Sequence, residues 1–260
     1  MKKFGLIGRR LGHSYSQDYF TRKFAELGLK DYSYALFELP SAEGLKEWAL
    51  REGLSGFNVT VPYKQDVIPQ LDSLDEVAAA VGAVNCVTVE QGRLVGHNTD
   101  APAFQQTLKE SENKEYGMMN CGQAFILGTG GAARAVAYAL GQLGIGYTFV
   151  SRHPERHDKA ISYDQFCAGR MPVVQGRGVL VVNATPVGMY PEVDQTPLDL
   201  ANLQMNANGM PMVLFYDLIY NPSPTRLLRE AAERGARIKD GMEMLHRQAD
   251  LSWEIWGIKK

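Results

Sequence analysis

The chain has 260 residues, of which 45% are hydrophobic and 22% charged, and its formal net charge is −2. This size predicts one large or two modest domains with a well-filled core. The near-neutral charge gives no drive toward nucleic acid, no apolar run reaches the roughly 18 residues of a membrane helix, and the N-terminal apolar stretch is too short for a signal peptide. We therefore expect a cytoplasmic protein that binds neither nucleic acid nor a membrane.

The cysteines and histidines show no pattern typical of a disulfide framework or a zinc site. Two histidines, His153 and His157, are four residues apart, but the only other ligand type near them is Asp158. We expect these side chains to be solvated, with no bound metal. The cysteines are odd in number and widely spaced: Cys86, Cys121 and Cys167.

Strand-like and helix-like segments alternate from the start of the chain. The predicted strands are Phe4–Ile7, Tyr32–Phe37 and Phe57–Val61, and the predicted helices are Gln17–Leu27, Ser41–Arg51 and Leu74–Val81. Ser16 and Ser41 are the expected N-caps of the first two helices. This β-α-β-α order favours an α/β sheet with parallel strands.

The next segment, AVNCVTVEQGRLVGHNTD, predicts a hairpin whose turn is Gln91-Gly92, although this is not the preferred turn pair. In that register the numbers of opposing residues sum to 183, so Asn85 faces Asn98. Asn85 and Asp100 are then expected at the same end of the sheet.

A helix at Ala101–Leu108 and a polar connection, SENKEYGMMNCG, precede a second α/β series. The strands of this series are predicted at Ala124–Leu127, Tyr147–Val150, Val179–Asn183 and Val213–Leu218, and its helices at Ala132–Leu143, Tyr163–Cys167 and Thr225–Arg234. A last helix, Met242–Trp256, follows the completed second sheet, so we expect it to return to the first domain.

The predicted fold is therefore α/β with two domains. The N-terminal α/β domain, residues 1–101, has a mainly parallel sheet and is completed by the returning helix of residues 240–260. The C-terminal domain, residues 102–239, is Rossmann-like and binds a dinucleotide. We expect the two domains to enclose a cleft.

The stretch FILGTGGAARAV places Gly128, Gly130 and Ala133 in the pattern G-x-G-x-x-G/A, after an apolar strand and at the start of a helix. The first glycine permits a tight turn, the second lets a pyrophosphate approach the backbone, and the alanine keeps the helix close to the strand. Exposed amides and the helix dipole then attract phosphate. The alternative is a glycine-rich turn without a ligand.

The strand after this turn ends at Ser151 and Arg152, with Arg156 four residues later. NAD sites normally carry an acidic residue here to bind the ribose 2′-hydroxyl, whereas a guanidinium can bind a 2′-phosphate. The sequence therefore favours NADP(H) over NAD(H), unless both arginines are merely solvated surface charges.

The stretch GFNVTVPYKQ at 56–65 carries polar residues inside an apolar strand. Asn58 and Thr60 are expected on one face and the apolar residues on the other: Phe57, Val59 and Val61. Lys64 lies beyond the strand end, where α/β sheets bind ligands. A lone lysine is usually solvated, and helix capping alone would explain Ser16 or Asp100, so spacing by itself does not prove that these groups converge.

Nine segments occur in the order found in shikimate dehydrogenases, and the chain resembles that family from Gly8 to about Gln248. The combination of NVTxPxK, NTD, the glycine-rich loop and NAT…GM is highly specific. The segments are GHSYSQ, NVTVPYK, GAVN, NTD, GTGGAARA, SRHPER, NATPVGM, YDLIYNPSPTRLL and DGMEMLHRQ.

The resemblance implies reduction of 3-dehydroshikimate to shikimate with NADPH, in the pathway to aromatic amino acids. It implies that Lys64 and Asp100 form the catalytic pair. The implied substrate residues are Ser14, Ser16, Asn58, Thr60, Asn85, Tyr220 and Gln248. The implied cofactor residues are Gly128, Thr129, Gly130, Gly131, Ala132, Ser151, Arg152, Arg156, Leu218 and Gly241, with Asn183 and Thr185 near them.

The sequence departs from the family pattern at four positions, none of which is a catalytic group. Gln17 stands in place of a proline, Ala101 of a glycine, Ser151 of an asparagine and His153 of a threonine. Two alternatives stay open: a quinate or dual quinate/shikimate dehydrogenase, and a non-catalytic ligand sensor of the same pathway. The sequence does not distinguish a monomer from a homodimer.

Overall fold

The computed structural model describes residues 1–12, 14–110, 121–168, 178–202 and 213–259. The chain forms two compact units: Met1–Asp100 with Gln248–Lys260, and Ala101–Arg247. The sequence prediction assigned 1–101 and 240–260 to the substrate domain, and the roles of the two units stay predictions. Across the described ranges, no helix is long and apolar enough to cross a membrane.

The first unit contains a mixed six-stranded sheet in the order β2-β1-β3-β5-β6-β4. Strand β1 is parallel to β2 and β3, β5 is antiparallel to β3 and β6, and β4 is parallel to β6. The elements are β1 (Lys2–Gly8), α1 (Tyr15–Glu26), β2 (Tyr32–Glu38), α2 (Leu45–Arg51), β3 (Leu54–Val59), β4 (Ser73–Leu74), α3 (Glu76–Val81), β5 (Cys86–Glu90) and β6 (Arg93–His97).

Apolar clusters cover both faces of this sheet. The cluster on one face includes Phe57 and Val59 of β3. The other includes Phe4 of β1 together with Trp253 of the C-terminal helix and Trp256 just after that helix. Because side chains alternate along a strand, Asn58 lies on the second face.

The hairpin register is confirmed: the β5–β6 pairs run from Cys86↔His97 to Glu90↔Arg93. Gln91 and Gly92 both have positive φ, 52° and 77°. A two-residue turn with both residues in the left-handed region matches the strand twist, and glycine adopts it without strain.

Three predicted boundaries in this unit were wrong. Helix α1 starts at Tyr15 behind Ser14, not behind Ser16, and neither α1 nor α2 has a side-chain cap. Helix α2 starts behind Gly44 because Ser41 caps a local turn instead, where its Oγ accepts a hydrogen bond from the Glu43 amide at 3.3 Å. Helix α3 starts at Glu76, since Asp75 accepts from the Ala78 amide at 2.6 Å.

Strand β3 also ends earlier than predicted, at Val59. Val61 is 63% exposed and does not share the buried face with Phe57. The chain turns away from the sheet here, because the Tyr63 amide already donates to the Thr60 carbonyl at 3.0 Å.

The second unit contains a fully parallel sheet in the order β12-β11-β10-β7-β8-β9. Counted within the unit, this is the order 3-2-1-4-5-6 of a doubly wound dinucleotide-binding fold. Its elements, with two helices that also reach the first unit, are α4 (Asp100–Glu110), β7 (Cys121–Leu127), α5 (Gly131–Gln142), β8 (Gly146–Val150), β9 (Ala160–Ile161), α6 (Tyr163–Ala168), β10 (Gly178–Asn183), β11 (Val213–Asp217), α7 (Arg226–Glu233), β12 (Arg237–Lys239) and α8 (Met242–Ile255).

The predicted α/β fold is confirmed. Among the strands in the described residues, three short ones were not predicted: β4, β9 and β12. Most of the predicted polar connection, residues 111–120, lies outside the described residues. Helix α7 begins behind Thr225, whose Oγ1 accepts from the Leu228 amide at 3.3 Å.

Candidate active site

Predicted catalytic and substrate residues of the first unit meet at one edge of its sheet. Strands β1 and β3 are parallel and end at this edge. The antiparallel β5 starts here, opposite Asn58 and His97, and β6 ends here. As a result all three of the following lie at this edge of the sheet: Thr60, which follows β3, Asn85, which precedes β5, and Asp100, which follows β6.

Lys64 lies in a series of turns that follows β3, and two buried neighbours hold these turns in place. Tyr63 and Val67 are 1% and 0% exposed and pack in the same apolar cluster. The Lys64 carbonyl accepts a hydrogen bond from the Val84 amide at 2.7 Å, immediately before Asn85. Packing of these neighbours and the hydrogen bond to Val84 therefore hold the backbone on both sides of Lys64, and the lysine side chain extends from this anchored segment.

The Lys64 ammonium forms an ion pair with Asp100, with 2.6 Å between Nζ and Oδ2. Only 17% of the lysine side chain and 8% of the aspartate side chain are exposed. Solvent screens such a pair weakly. Asp100 is the first residue of α4, where the helix dipole also favours a negative charge.

Asn85 holds the other carboxylate oxygen of Asp100. Its Nδ2 donates to Asp100 Oδ1 at 2.9 Å and to Thr99 Oγ1 at 2.8 Å, while its Oδ1 accepts from the Thr99 amide at 2.7 Å. The neighbouring Asn98 donates to the Ala83 carbonyl at 2.9 Å. Asn98 and Thr99 were not predicted as site residues, although both lie in the NTD segment that carried the resemblance.

Asn58 is 5% exposed and is hydrogen-bonded on both sides of its amide group. Its Nδ2 donates to the Asn85 carbonyl at 3.2 Å and to Ser252 Oγ at 2.9 Å. Its Oδ1 accepts from the Tyr34 hydroxyl at 2.8 Å. Tyr34 and Ser252 were not predicted as site residues, since neither lies in a segment that carried the resemblance.

The predicted serines lie at the start of α1. Ser14 is buried, and its carbonyl accepts from the Gln17 amide at 3.2 Å. Ser16 hydrogen-bonds the phenol oxygen of Tyr34, whose pKa is raised well above its ordinary value by burial. Gln248 lies in α8, and its carbonyl accepts from Ser252 Oγ at 2.9 Å.

Thr60 lies close to β1 at the same edge. Its amide donates to the Ile7 carbonyl at 2.9 Å, and its methyl carbon would be 2.8 Å from a Cβ on Gly8. Tyr220 is the one predicted substrate residue in the second unit, where burial raises the pKa of its hydroxyl.

The predicted cofactor residues follow strands that end together in the second sheet. Leu127 pairs with Val150 and with Asn183, and Asn183 pairs with Asp217. The glycine turn, the Ser151 segment and Leu218 therefore leave the sheet at its carboxyl edge, where doubly wound sheets bind dinucleotides.

The glycine turn suits a phosphate group. Gly128 has φ 99°, and its amide donates to the Val150 carbonyl at 2.9 Å. A Cβ on Gly130 would have no neighbour within 4 Å, so the space beside this residue is open. Helix α5 begins at Gly131 without an acidic residue in its first turn. Exposed amides at the positive end of a helix attract an anion, and the residues fit a pyrophosphate.

The arginine segment begins with a buried serine. Ser151 Oγ accepts from the His153 amide at 3.1 Å, so this side chain shapes the turn. Arg152 is exposed, and 69% of the Arg156 side chain is exposed, with its Nε 3.6 Å from Glu155. His153 Nδ1 lies 3.5 Å from the same carboxylate. Among the residues that the structure describes, no group of three or more His, Cys, Asp or Glu could hold a metal ion.

A buried polar network that the sequence did not predict supports the residues predicted to contact the nicotinamide end of the cofactor. Asp217 Oδ1 accepts from Asn183 Nδ2 and from the Ile219 amide, both at 3.0 Å, and Oδ2 accepts from Thr225 Oγ1 at 2.7 Å. Burial raises the pKa of Asp217 to about 6, although these three donors favour its charged form.

The same network leads to the other predicted residues of this region. Thr185 donates to Asn183 Oδ1 through its amide at 3.0 Å and its hydroxyl at 2.7 Å. The Leu218 amide donates to the Asn183 carbonyl at 3.0 Å. A Cβ on Gly241 would lie 2.1 Å from the Leu218 carbonyl oxygen, so only glycine fits there.

Comparisons with known proteins agree with this arrangement. Residues 6–87 match the family model described as the shikimate dehydrogenase substrate binding domain. A shikimate dehydrogenase (NADP(+)) of Trichormus variabilis is 37% identical over 276 residues, which cover 98% of this chain and 90% of that protein. The chain belongs to the shikimate dehydrogenase family.

Solved structures of this family have the same fold. A shikimate dehydrogenase from Peptoclostridium difficile matches with a TM-score of 0.83 and 32% identity, over 100% of this chain and 93% of that one. The shikimate 5-dehydrogenase of Thermus thermophilus, solved with NADP(H) and shikimate, matches with a TM-score of 0.81 and 32% identity, over 98% and 93% of the two chains.

A quinate dehydrogenase from Corynebacterium glutamicum, solved with NAD, is also similar, with a TM-score of 0.76 over 98% of this chain and 93% of that one. Its identity to this chain is lower, at 28%. The comparisons therefore favour the shikimate dehydrogenases over the quinate alternative.

Proposed function

We propose that this protein catalyses the reversible, NADPH-dependent reduction of 3-dehydroshikimate to shikimate, a step toward the aromatic amino acids. One observation carries the proposal: a largely buried Lys64–Asp100 ion pair, held by Asn85, at a sheet edge rich in hydrogen-bonding side chains. The names and bound ligands of the family members support the choice of substrate and cofactor.

We assign the proton transfer to Lys64. NADPH, when bound, supplies a hydride to the ketone carbon of the substrate. Negative charge then develops on the ketone oxygen, and the Lys64 ammonium donates a proton to it. In the reverse direction the neutral amine accepts that proton. General acid–base assistance of this kind typically contributes about 10²–10⁴-fold to the rate.

Asp100 orients the amine through Oδ2, and Asn85 in turn orients Asp100 through Oδ1. Both carboxylate oxygens are therefore engaged before the substrate binds, which lowers the entropy cost of reaching a reactive geometry. Asp100 can also accept a hydrogen bond from a substrate hydroxyl. The remaining substrate contacts are assigned to Ser14, Ser16, Thr60, Asn85, Tyr220 and Gln248. Asn58, also predicted from the sequence, lies among them.

The cofactor is assigned to the second unit. The turn from Gly128 to Ala132 would hold the pyrophosphate, and Arg152 with Arg156 would bind the 2′-phosphate, which supports NADP(H) over NAD(H). Leu218 and Gly241 would contact the nicotinamide end. Residence in the cytoplasm, and a monomer or homodimer without nucleic-acid or membrane partners, stay predictions from the sequence.

The quinate and sensor alternatives are separated by one assay. Absorbance at 340 nm is followed with shikimate or quinate as substrate and with NADP⁺ or NAD⁺ as oxidant. We expect the highest kcat/KM for shikimate with NADP⁺. Preference for quinate with NAD⁺ would favour the first alternative, and binding of shikimate without turnover would favour the second.

Lys64→Ala tests the assigned proton donor. We expect kcat to fall by about 10²–10⁴-fold, because the general acid is lost, while NADPH binding, measured by nucleotide fluorescence, is unchanged. Lys46→Ala is the matched control, since Lys46 also pairs with an aspartate of the same unit, Asp72, at 2.5 Å, but on the surface. Near-normal turnover of the Lys64 variant would show that its role is misassigned.

A further inference from the structure

Asn58 lies among the predicted substrate residues, but its amide hydrogens already have protein acceptors. One is directed to the Asn85 carbonyl and the other to Ser252 Oγ. Ser252 donates its own hydrogen to the Gln248 carbonyl, so it can receive the hydrogen bond from Asn58. With a side chain that is 5% exposed, Asn58 has no N–H left to offer a substrate.

Tyr34 determines the orientation of the Asn58 amide. Its hydroxyl donates to Asn58 Oδ1 and accepts from Ser16, so both roles of the hydroxyl are used. Its ring stacks on Phe20, with 4.6 Å between centroids and 14° between planes, and the residue is 6% exposed. The hydroxyl therefore has a fixed position, and it links the start of α1 to β3.

Ser252 makes the corresponding link to the C-terminal helix. It is fully buried and lies one helical turn after Gln248. The amide of Asn58 therefore connects three parts of the chain: α1 with Ser16 through Tyr34, α8 with Gln248 through Ser252, and, directly, Asn85 just before β5. Each of these parts carries a predicted substrate residue.

We propose that Tyr34 and Ser252 are positioning residues of the substrate pocket, and that Asn58 acts through this network instead of as a direct substrate ligand. The inference rests on the proposed function for the identity of the substrate. A pocket whose donors are held in place before binding loses less entropy when the substrate arrives. Loosening the network should therefore weaken substrate binding and leave cofactor binding unaffected.

Tyr34→Phe removes the hydroxyl and keeps the stacked ring. We expect KM for shikimate to rise about tenfold, since Asn58 Oδ1 loses its buried donor. KM for NADP⁺ should stay within about twofold of wild type, as expected for a change confined to substrate binding. Ser252→Ala should have the same signature. Thr88→Val is the control, because it removes a buried hydroxyl of the same unit that bonds His97 at 3.4 Å.

A double-mutant cycle separates positioning from a general loss of stability. In an Asn58→Ala background, adding Tyr34→Phe should change KM for shikimate by less than about twofold, because both changes disable one network. Additive effects, or an unchanged KM in active Tyr34→Phe enzyme, would overturn the inference. If the wild type itself does not oxidise shikimate with NADP⁺, the proposed function has failed instead.

The network can also be tested without substrate, so that the test still applies if the wild type does not oxidise shikimate. The Asn58 side-chain amide protons of the ligand-free wild type should exchange slowly with solvent in NMR spectra, and exchange should accelerate in Ser252→Ala. Fast exchange in the wild type would contradict the network itself, whatever the reaction.

Discussion

The substitution Gly130→Ala should weaken cofactor binding with little change in the stability of the fold. Gly130 has φ −74°, a value that alanine adopts freely, and a Cβ there has no protein atom within 4 Å. The open space beside this residue is where a phosphate would approach the backbone amides. The methyl group should therefore obstruct the ligand without disturbing the protein.

The expected magnitudes follow from this geometry. As the N-cap of α5, alanine is poorer than glycine by about 0.5–1 kcal/mol, but it also restricts the unfolded chain by about 0.4–1 kcal/mol. The net change in the free energy of unfolding should thus stay within about 1 kcal/mol. Losing one charge-assisted hydrogen bond to phosphate costs about 1.5–3 kcal/mol, which raises KM for NADPH by about 10- to 100-fold.

The assay combines urea unfolding, followed by far-UV circular dichroism, with steady-state kinetics at varied NADPH. Gly128→Ala is the contrasting variant, because Gly128 has φ 99° and its Cβ would lie 2.9 Å from Thr185 Cγ2. That variant should lose about 1–3 kcal/mol of stability. A Gly130→Ala protein with wild-type stability and wild-type KM for NADPH would refute the assignment of this turn to the pyrophosphate.

Two further predictions concern the network at the carboxyl edge of the second sheet. Gly241→Ala should lower the free energy of unfolding by about 1–3 kcal/mol or more, because its Cβ would overlap the Leu218 carbonyl; urea unfolding checks this, and unchanged stability would contradict the close approach. The Asp217 carboxyl has its pKa raised from 3.8 to about 6, so its contribution to stability is complete only below the ordinary value of 3.8 and is lost as the pH rises from there through about 6. Relative to Asp217→Asn, the wild type should lose about 3 kcal/mol between about pH 3 and pH 7. The stability should be measured by hydrogen exchange of the β11 amides, because the tryptophans all lie in the first unit and their fluorescence would not report on the second. A stability difference between wild type and Asp217→Asn that does not change with pH would contradict the raised pKa.

Local patterns in the sequence were sufficient for a large part of the fold. The period-two alternation and the turn at Gln91-Gly92 predicted the register of the β5–β6 hairpin, which brought Asn85 to Asp100. The strand–glycine turn–helix pattern likewise predicted the start of α5 to within one residue. These features depend on sterics and hydrogen bonds between residues close in the chain.

The first residues of the helices were harder to predict, because several residues near each helix start are of a type that can cap the free backbone amides of the first turn. Ser14, Ser16 and Ser41 are all plausible caps by residue type, yet neither α1 nor α2 has a side-chain cap in the structure. Ser16 instead bonds Tyr34, and Ser41 bonds the amide of Glu43. Tertiary contacts and local turns outweighed the intrinsic preference for capping.

The α/β architecture and the glycine turn could be predicted from the sequence, because each is encoded by neighbours in the chain, whereas Lys64 and Asp100 were predicted as a pair only from the family resemblance. The pairing of hydrogen-bond donors with acceptors, by contrast, depends on the tertiary structure. Asn58 meets Tyr34 and Ser252, which are 24 and 194 positions away, and Lys64 meets Asp100 across 36 positions. Such pairings arise from the order of strands in the sheet and from the packing of the C-terminal helix on the first sheet. The spacing of hydrophobic residues along the chain does not predict them.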